Sequence, residues 1–232
     1  MRSRPRKRVV AALAVVGALA LSGCTVHPGS AVVIDDQSIS QSHIDDLVLA
    51  ACAFTKVNRI GNTPSTSMAY LRNVLLDNEI NFAISHRLVT ALHLTVSPAK
   101  VAIASAGQKI PSALSSKDRD LLRQFFVGSA RSQLEEAVIG AHLKDHTVTN
   151  ADSVTGANVS ELVKAAQPLI TAYTKRQDVV VNPAYGSWDG ATLVDSEGSL
   201  SAPASVPAKK WILLRKTNSN SVAGLPPSQV CG

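Results

Sequence analysis

Apolar positions along this chain follow three rhythms. From Val9 to Leu21 they run almost unbroken, from Ile44 to Tyr173 they return every three or four residues, and near Val33, Val180 and Trp211 they alternate or come in short runs. The middle rhythm belongs to amphipathic helices and the last to strands. Ala31 to Ile34 is β-prone, breaks at Asp35-Asp36 and resumes in Gln37 to Ile39, which predicts a small hairpin. Ser40 is suited to cap a first helix whose Ile44, Leu47, Val48 and Ala51 share one face. Asn58 to Ser67, rich in Gly, Asn, Pro, Ser and Thr, ends it.

A second helix is predicted from about Ser67 to Leu92. Leu76, Ile80, Ile84 and Leu88 recur at every fourth position, and Met68, Leu71 and Leu75 add an adjoining stripe, so the helix can serve two partners. Ser97-Pro98 reads as an N-cap with proline at the first helical position, opening a shorter helix through Val101 and Ala104. Pro111 to Ser116 reads as a loop. The fourth helix, from about Lys117 to His146, is expected to be the longest, with Leu122, Phe125, Phe126, Leu134, Ala137, Val138 and Ala141 on its apolar side. After a polar turn at Thr149 to Gly156, a fifth covers roughly Asn158 to Lys175, where Leu162, Val163, Ala166, Leu169, Ile170 and Tyr173 align and Pro168 should introduce a bend. Asp178 to Val181 and Trp211 to Leu214 read as short strands separated by a Gly-, Ser- and Pro-rich segment, Gly186 to Pro207. Asn218 to Gly232 is an irregular tail, expected to fray unless Cys231 anchors it. The expected fold is mainly α, with a small N-terminal hairpin and short C-terminal strands.

The unbroken apolar run has a different meaning. It is thirteen residues long, follows a cluster of Arg2, Arg4, Arg6, Lys7 and Arg8, and ends in Leu21-Ser22-Gly23-Cys24. Such a run suits the core of an export signal and is too short to span a bilayer stably. The closing residues resemble the lipobox of bacterial lipoprotein precursors, which implies that residues 1–23 are a signal peptide and that Cys24 carries lipid. Each buried CH₂ is worth about 0.8 kcal/mol, so two or three chains suffice for lasting attachment. Residues 24–30 then form a lipidated linker, and the protein is expected on the outer, extracytoplasmic face of a cell membrane.

This reading changes the charge. Of 23 Lys and Arg, five lie in the signal, leaving 18 against 17 Asp and Glu, so the mature chain is near +1. With no basic stripe and few aromatics, nucleic acid is rejected as a partner. With Cys24 committed to lipid, Cys52 and Cys231 remain in an oxidising compartment and are expected to pair. A buried thiol at Cys52 beside an idle one at Cys231 is the alternative, because sequence does not show the geometry a disulfide needs.

Catalytic chemistry finds little support. His142 and His146 stand one helical turn apart beside Asp145, a spacing that suits a divalent metal, but no third ligand accompanies them. His86 and His93 lie seven apart on the long helix and are read as surface or boundary residues. The pairs Asp35-Asp36, Asp45-Asp46 and Glu135-Glu136 are consecutive, so their side chains diverge on a helix, and at a turn they are capping residues. There is no nucleophile elbow, no phosphate-binding loop and no Cys-His arrangement. No enzymatic activity, metal or cofactor is expected.

Two segments resemble the SurA and PrsA type of extracytoplasmic foldase, in particular actinobacterial lipoproteins with a SurA-like N-terminal domain. The first is Ala31 to Ser40, followed by Ile44, Asp45 and Leu47. The second is the run Val180 to Asp189, which is similar to that family's Asn-Pro-x-Tyr-Gly-x-Trp-Asp segment and contributes Asn182, Pro183, Tyr185, Gly186, Trp188 and Asp189. The resemblance implies a helical chaperone domain over residues 31–190, closed by a return segment and tail over residues 191–232. It also implies unfolded or newly exported polypeptides as partners. A parvulin isomerase is often inserted before the return in that family; between Lys175 and Asn182 there is no room for one. A prolyl isomerase and an envelope lipoprotein with one dedicated partner are the competing functions. Tyr185 and Trp188 are read as anchors that close the return segment onto the helices, in preference to client contacts.

Overall fold

The computed structural model describes residues 28–58, 65–194, 222 and 224–232. Residues 1–23, Cys24 and the expected strand Trp211 to Leu214 lie outside them, as does most of the segment Gly186 to Pro207. The described chain is mainly α, with five helices and seven short strands.

The chain opens with β1 (Ser30–Ile34) and β2 (Gln37–Ser40), an antiparallel hairpin turning at Asp35, whose φ of 51° is the left-handed conformation that Asp tolerates. Ser40 then caps α1 (Gln41–Val57), its hydroxyl accepting from the His43 amide. β3 (Thr66–Ser67) leads into α2 (Met68–Ala91), capped in the same way by Ser67. Ser97 caps α3 (Pro98–Ser105) with proline in its first turn, and Ser115 caps α4 (Ser116–Lys144), the longest helix. α5 (Val159–Thr174) follows and contains Pro168. The return comprises β4 (Val179–Val181), then β5 (Ser187–Trp188) paired with β6 (Leu193–Val194), and β7 (Val230–Cys231) paired with β3.

A two-stranded hairpin is marginal alone, and here a third strand arrives from the far end of the helical region. β4 runs antiparallel to β1 on the side opposite β2, with Val32 facing Val181 and Ile34 facing Val179. Every residue of β1 is buried. One face of this sheet packs on α1 and α2, where Ile44, Leu47, Val48, Leu76, Ile80 and Ile84 form the first core. The second core lies between the end of α2, α4 and α5, around Leu88, Leu134, Ala137, Val138, Leu162 and Ala166. A smaller third one joins α1 to the start of α4 through Ala50, Leu114 and Leu122. The fourfold row on α2 divides along its length, Leu76, Ile80 and Ile84 entering the first core and Leu88 the second, while the adjoining stripe of Met68, Leu71 and Leu75 joins the first. Each fully buried Leu or Ile is worth about 1.5 to 3 kcal/mol, and these rows hold the sheet in place.

α4 is the central helix, buried nearly all round between Ser132 and Ala141. Gly140 explains how closely α5 approaches it: a Cβ there would sit 1.9 Å from the carbonyl oxygen of Leu162. The tail is anchored. Cys52 of α1 and Cys231 of β7 form a disulfide across a sequence separation of 179, with Cα atoms 5.4 Å apart.

One expectation needs correction: His93 is not on α2 with His86, because the helix ends at Ala91 and His93 lies beyond it with φ 55°, though both histidines are exposed. Glu135 and Glu136 diverge, as consecutive helical residues must, and Glu135 is buried while Glu136 is partly covered, because α4 has neighbours on almost every side.

Candidate functional site

The residues that carried the family resemblance are brought together as a clasp. Asn182, just past β4, donates its backbone N–H to the Ala31 carbonyl at 2.9 Å and its side-chain Nδ2–H to the Ser30 carbonyl at 3.1 Å. Its Oδ1 accepts from the Ala184 amide at 3.0 Å, which sets the single turn Pro183–Tyr185. The other end of β4 is held by Asp35, whose N–H donates to the Asp178 carbonyl at 2.8 Å while its Oδ1 accepts from the Asp178 amide at 3.0 Å.

Tyr185 is buried in the first core, and Trp188 packs against the same cluster. Between them Gly186 adopts φ 112°, a conformation open to glycine and strained for other residues. Asp189 shapes the β5–β6 turn: its Oδ1 accepts from the amides of Ala191 and Thr192, both at 2.8 Å. The hairpin then docks on α2, where the Leu193 amide donates to Asp77 Oδ1 at 3.2 Å. Burial pushes the Asp77 carboxyl up. These residues are structural in their contacts and hold β4 to β6 across the helices.

Two grooves of about 510 Å³ each open between the helices. One lies between α3 and α4. Its apolar wall is Val101, Ala102, Ile110, Phe126 and Val127, and Arg123 and Arg131 stand along it. Phe126 is steadied by an edge contact with Phe54 at 5.8 Å. Ile103, on the same short helix, is 78% exposed, the most exposed large apolar side chain among the described residues.

The other groove lies between α2, α4, α5 and the β5–β6 turn, and mixes polar side chains with the apolar Phe82, Val163 and Ile170. α2 contributes Asn78, Asn81 and Ser85, and α4 contributes Ser129, Ser132, Gln133 and Glu136. Glu136 Oε1 accepts from Ser85 at 3.4 Å and Ser132 at 3.3 Å, while Oε2 accepts from Gln167 of α5 at 3.3 Å. Burial pushes this carboxyl up, and the neighbouring Glu135 adds to the shift. Glu135 is itself buried and raised by that burial; its Oε1 meets His86 Nδ1 at 2.8 Å, and its Oε2 has no hydrogen-bond partner. Sequence reasoning missed this pair. The available clue was its place in the middle of a helix whose apolar residues extend over more than one face.

The remaining charged pairs are surface ties. Arg87 of α2 reaches Asp35 at 2.9 Å and Asp36 at 3.0 Å, holding the Asp36 carboxyl below its ordinary value and fastening the first hairpin to the helix. Asp45 pairs with Arg72 at 3.0 Å and Asp46 with Lys117 at 2.8 Å. His142 and His146 are in contact, with ring centroids 5.2 Å apart, but His142 Nδ1 is engaged by the Val148 carbonyl at 2.8 Å. Among the described residues no group of three or more His, Cys, Asp or Glu is placed to hold a metal ion, and no helix is long and apolar enough to cross a membrane.

Fold and grooves together define a mainly α protein whose first strand is closed by a strand returning after the last helix. The chain matches no protein-family model, no curated protein and no solved structure.

Proposed function

We propose that this protein is an extracytoplasmic chaperone, held at the membrane by lipid on Cys24, that binds unfolded exported polypeptides and performs no covalent chemistry. The observation that carries the reading is the α3–α4 groove. It brings Val101, Ala102, Ile110, Phe126 and Val127 together with Arg123, Arg131, Ser105 and Gln108 in one accessible groove, and Phe126 and Val101 pack into the cores beneath it. A groove of this kind suits apolar side chains of a chain that has not yet buried them.

Topology lends support. In the SurA and PrsA family the helical chaperone domain is closed by a return segment, and here β4 returns to β1 with Asn182, Tyr185 and Trp188 in the closure. β4 follows α5 with only Lys175 to Asp178 between them, so no isomerase domain is inserted at that point.

The test is aggregation of a reduced, unfolded client, followed by light scattering. The Cys24→Ser protein at equimolar amount should slow it several-fold, and Ala102→Lys, which places a charge in the groove at an exposed position, should lose most of that protection while keeping its Tm. No protection at several-fold excess would overturn the proposal. Anchoring is tested separately: labelled palmitate should enter the wild-type chain in cells and be absent from Cys24→Ala.

A further inference from the structure

Arg119, Arg123, Val127 and Arg131 recur at every fourth position of α4 and so form one ridge of that helix. Arg123, Val127 and Arg131 line the α3–α4 groove, and no acid is among the residues lining it. On the other side of α4 the sign is reversed, since Glu136 is the one ionisable side chain lining the α2–α4–α5 groove. The α3–α4 groove is therefore the one that presents cations.

The fold leaves these cations available. Arg123 meets only Asp120, one turn away on the same helix, and both side chains are largely exposed. Such a pair is worth little and exchanges readily for another carboxylate. Arg131 is exposed and makes no ion pair among the described residues. Glu135 lies one turn beyond it, but Oε1 of that carboxyl is taken by His86 and its Oε2 has no hydrogen-bond partner, so the Arg131 guanidinium does not engage it. At the other end of the ridge Arg119 has a buried Nε with no hydrogen-bond partner, while Asp118 is held by the hydroxyl of the capping Ser115.

Exposed cations without a partner, such as Lys56 and Lys164, signify nothing alone. What sets Arg123 and Arg131 apart is the apolar surface between them: Phe126 and Val127 of α4, with Val101 of α3 and Ile110 beyond it. The spacing also fits a polypeptide. Eight helical residues rise about 12 Å, which an extended chain covers in four residues at about 3.3 Å each. Residues i, i+2 and i+4 of an extended chain face the same way. An acid, an apolar residue and a second acid at those positions would meet Arg123, the Phe126 and Val127 surface, and Arg131 in turn.

We propose that the α3–α4 groove selects extended polypeptide segments of the pattern acid-x-apolar-x-acid, with the two carboxylates against Arg123 and Arg131. This rests on the chaperone reading and names its class of client, apolar segments bounded by Asp or Glu.

The experiment uses the full chain with Cys24→Ser and three nonapeptides that carry the same neutral fluorophore between Gly-Ser flanks. Their centres are Asp-Ser-Leu-Ser-Asp, Asn-Ser-Leu-Ser-Asn and Asp-Asp-Ser-Ser-Leu. Fluorescence anisotropy should show the first binding about fivefold tighter than either of the others, with the difference fading as salt is raised. In the double variant Arg123→Gln, Arg131→Gln, checked by Tm and circular dichroism, affinity for the first peptide should fall to that for the second, and affinity for the second should stay unchanged. The wild-type peptide series decides the matter even where the double variant is destabilised. Equal affinity for the Asp and Asn peptides overturns the inference, as does a preference that survives the double substitution or an adjacent-Asp peptide that binds as tightly as the spaced one. Displacement of the first peptide by phosphatidylglycerol vesicles, and not by phosphatidylcholine vesicles, overturns it in favour of anionic lipid. The aggregation assay keeps the two readings apart: protection of a client with no preference among the peptides removes this inference alone, whereas the preference without protection removes the chaperone reading and leaves the selectivity of the groove.

Discussion

Glu136 shows how burial acts on a single residue. Its carboxyl is raised above the ordinary 4.5, chiefly because burial penalises the charged form. A raised value means that the folded chain holds the proton more tightly than the unfolded chain does. The resulting stabilisation is complete below the ordinary value and is lost as pH rises through the elevated one. Glu136→Gln removes the charge with little change of shape, so at pH 8 it should raise Tm by roughly 2 to 5 °C. Thermal melts from pH 8 to pH 4 should show that advantage shrinking toward zero; a constant offset would mean that the charge is not its source. Asn182 acts differently. Its side chain satisfies a strand carbonyl and an amide of the following turn, so one residue fixes both the register of β4 and the entry to Tyr185.

Among the elements, α4 decides the packing. It touches α1, α2, α3 and α5, and a helix so enclosed must offer small residues where a neighbour comes closest. Gly140 meets that need against Leu162. In a helix interior glycine is about 1 kcal/mol worse than alanine, so propensity alone favours replacement. Packing opposes it far more strongly. Gly140→Ala should lower Tm by roughly 3 to 10 °C, because the α5 backbone must move to admit the methyl group; an unchanged or higher Tm would show that the two helices are not so close in solution. The capping serines illustrate the opposite case, being readable without any tertiary knowledge. Ser40 and Ser97 each precede an apolar periodic run, and each accepts from the amide three residues on. The cap is a local interaction, so local sequence announces it.

For the whole molecule, the longest-range tie is the disulfide. Cys231 brings β7 against β3, at the entrance to α2, and joins it covalently to α1. In the loop-entropy model such closure stabilises by up to about 4 to 5 kcal/mol, although measured gains are often smaller. Cys231→Ser should lower Tm clearly and make the tail the first point of proteolysis, with cleavage mapped by mass spectrometry; a variant as stable and as resistant as wild type would mean that the tail contributes nothing.

The helices, the caps at Ser40 and Ser97 and the apolar rows of α1, α2 and α5 follow from the sequence by itself, because each depends on neighbours within one or two turns. The hairpin at Asp35-Asp36 is legible for the same reason. What the order of residues left open was decided by contacts between distant segments. Those contacts joined β4 to β1 and Cys52 to Cys231, ended α2 before His93, and buried Glu135 while leaving Glu136 partly covered. Helical periodicity reports how many faces are apolar. Which faces are covered, and whether a carboxylate caught between them meets a cation, is fixed only when the helices pack.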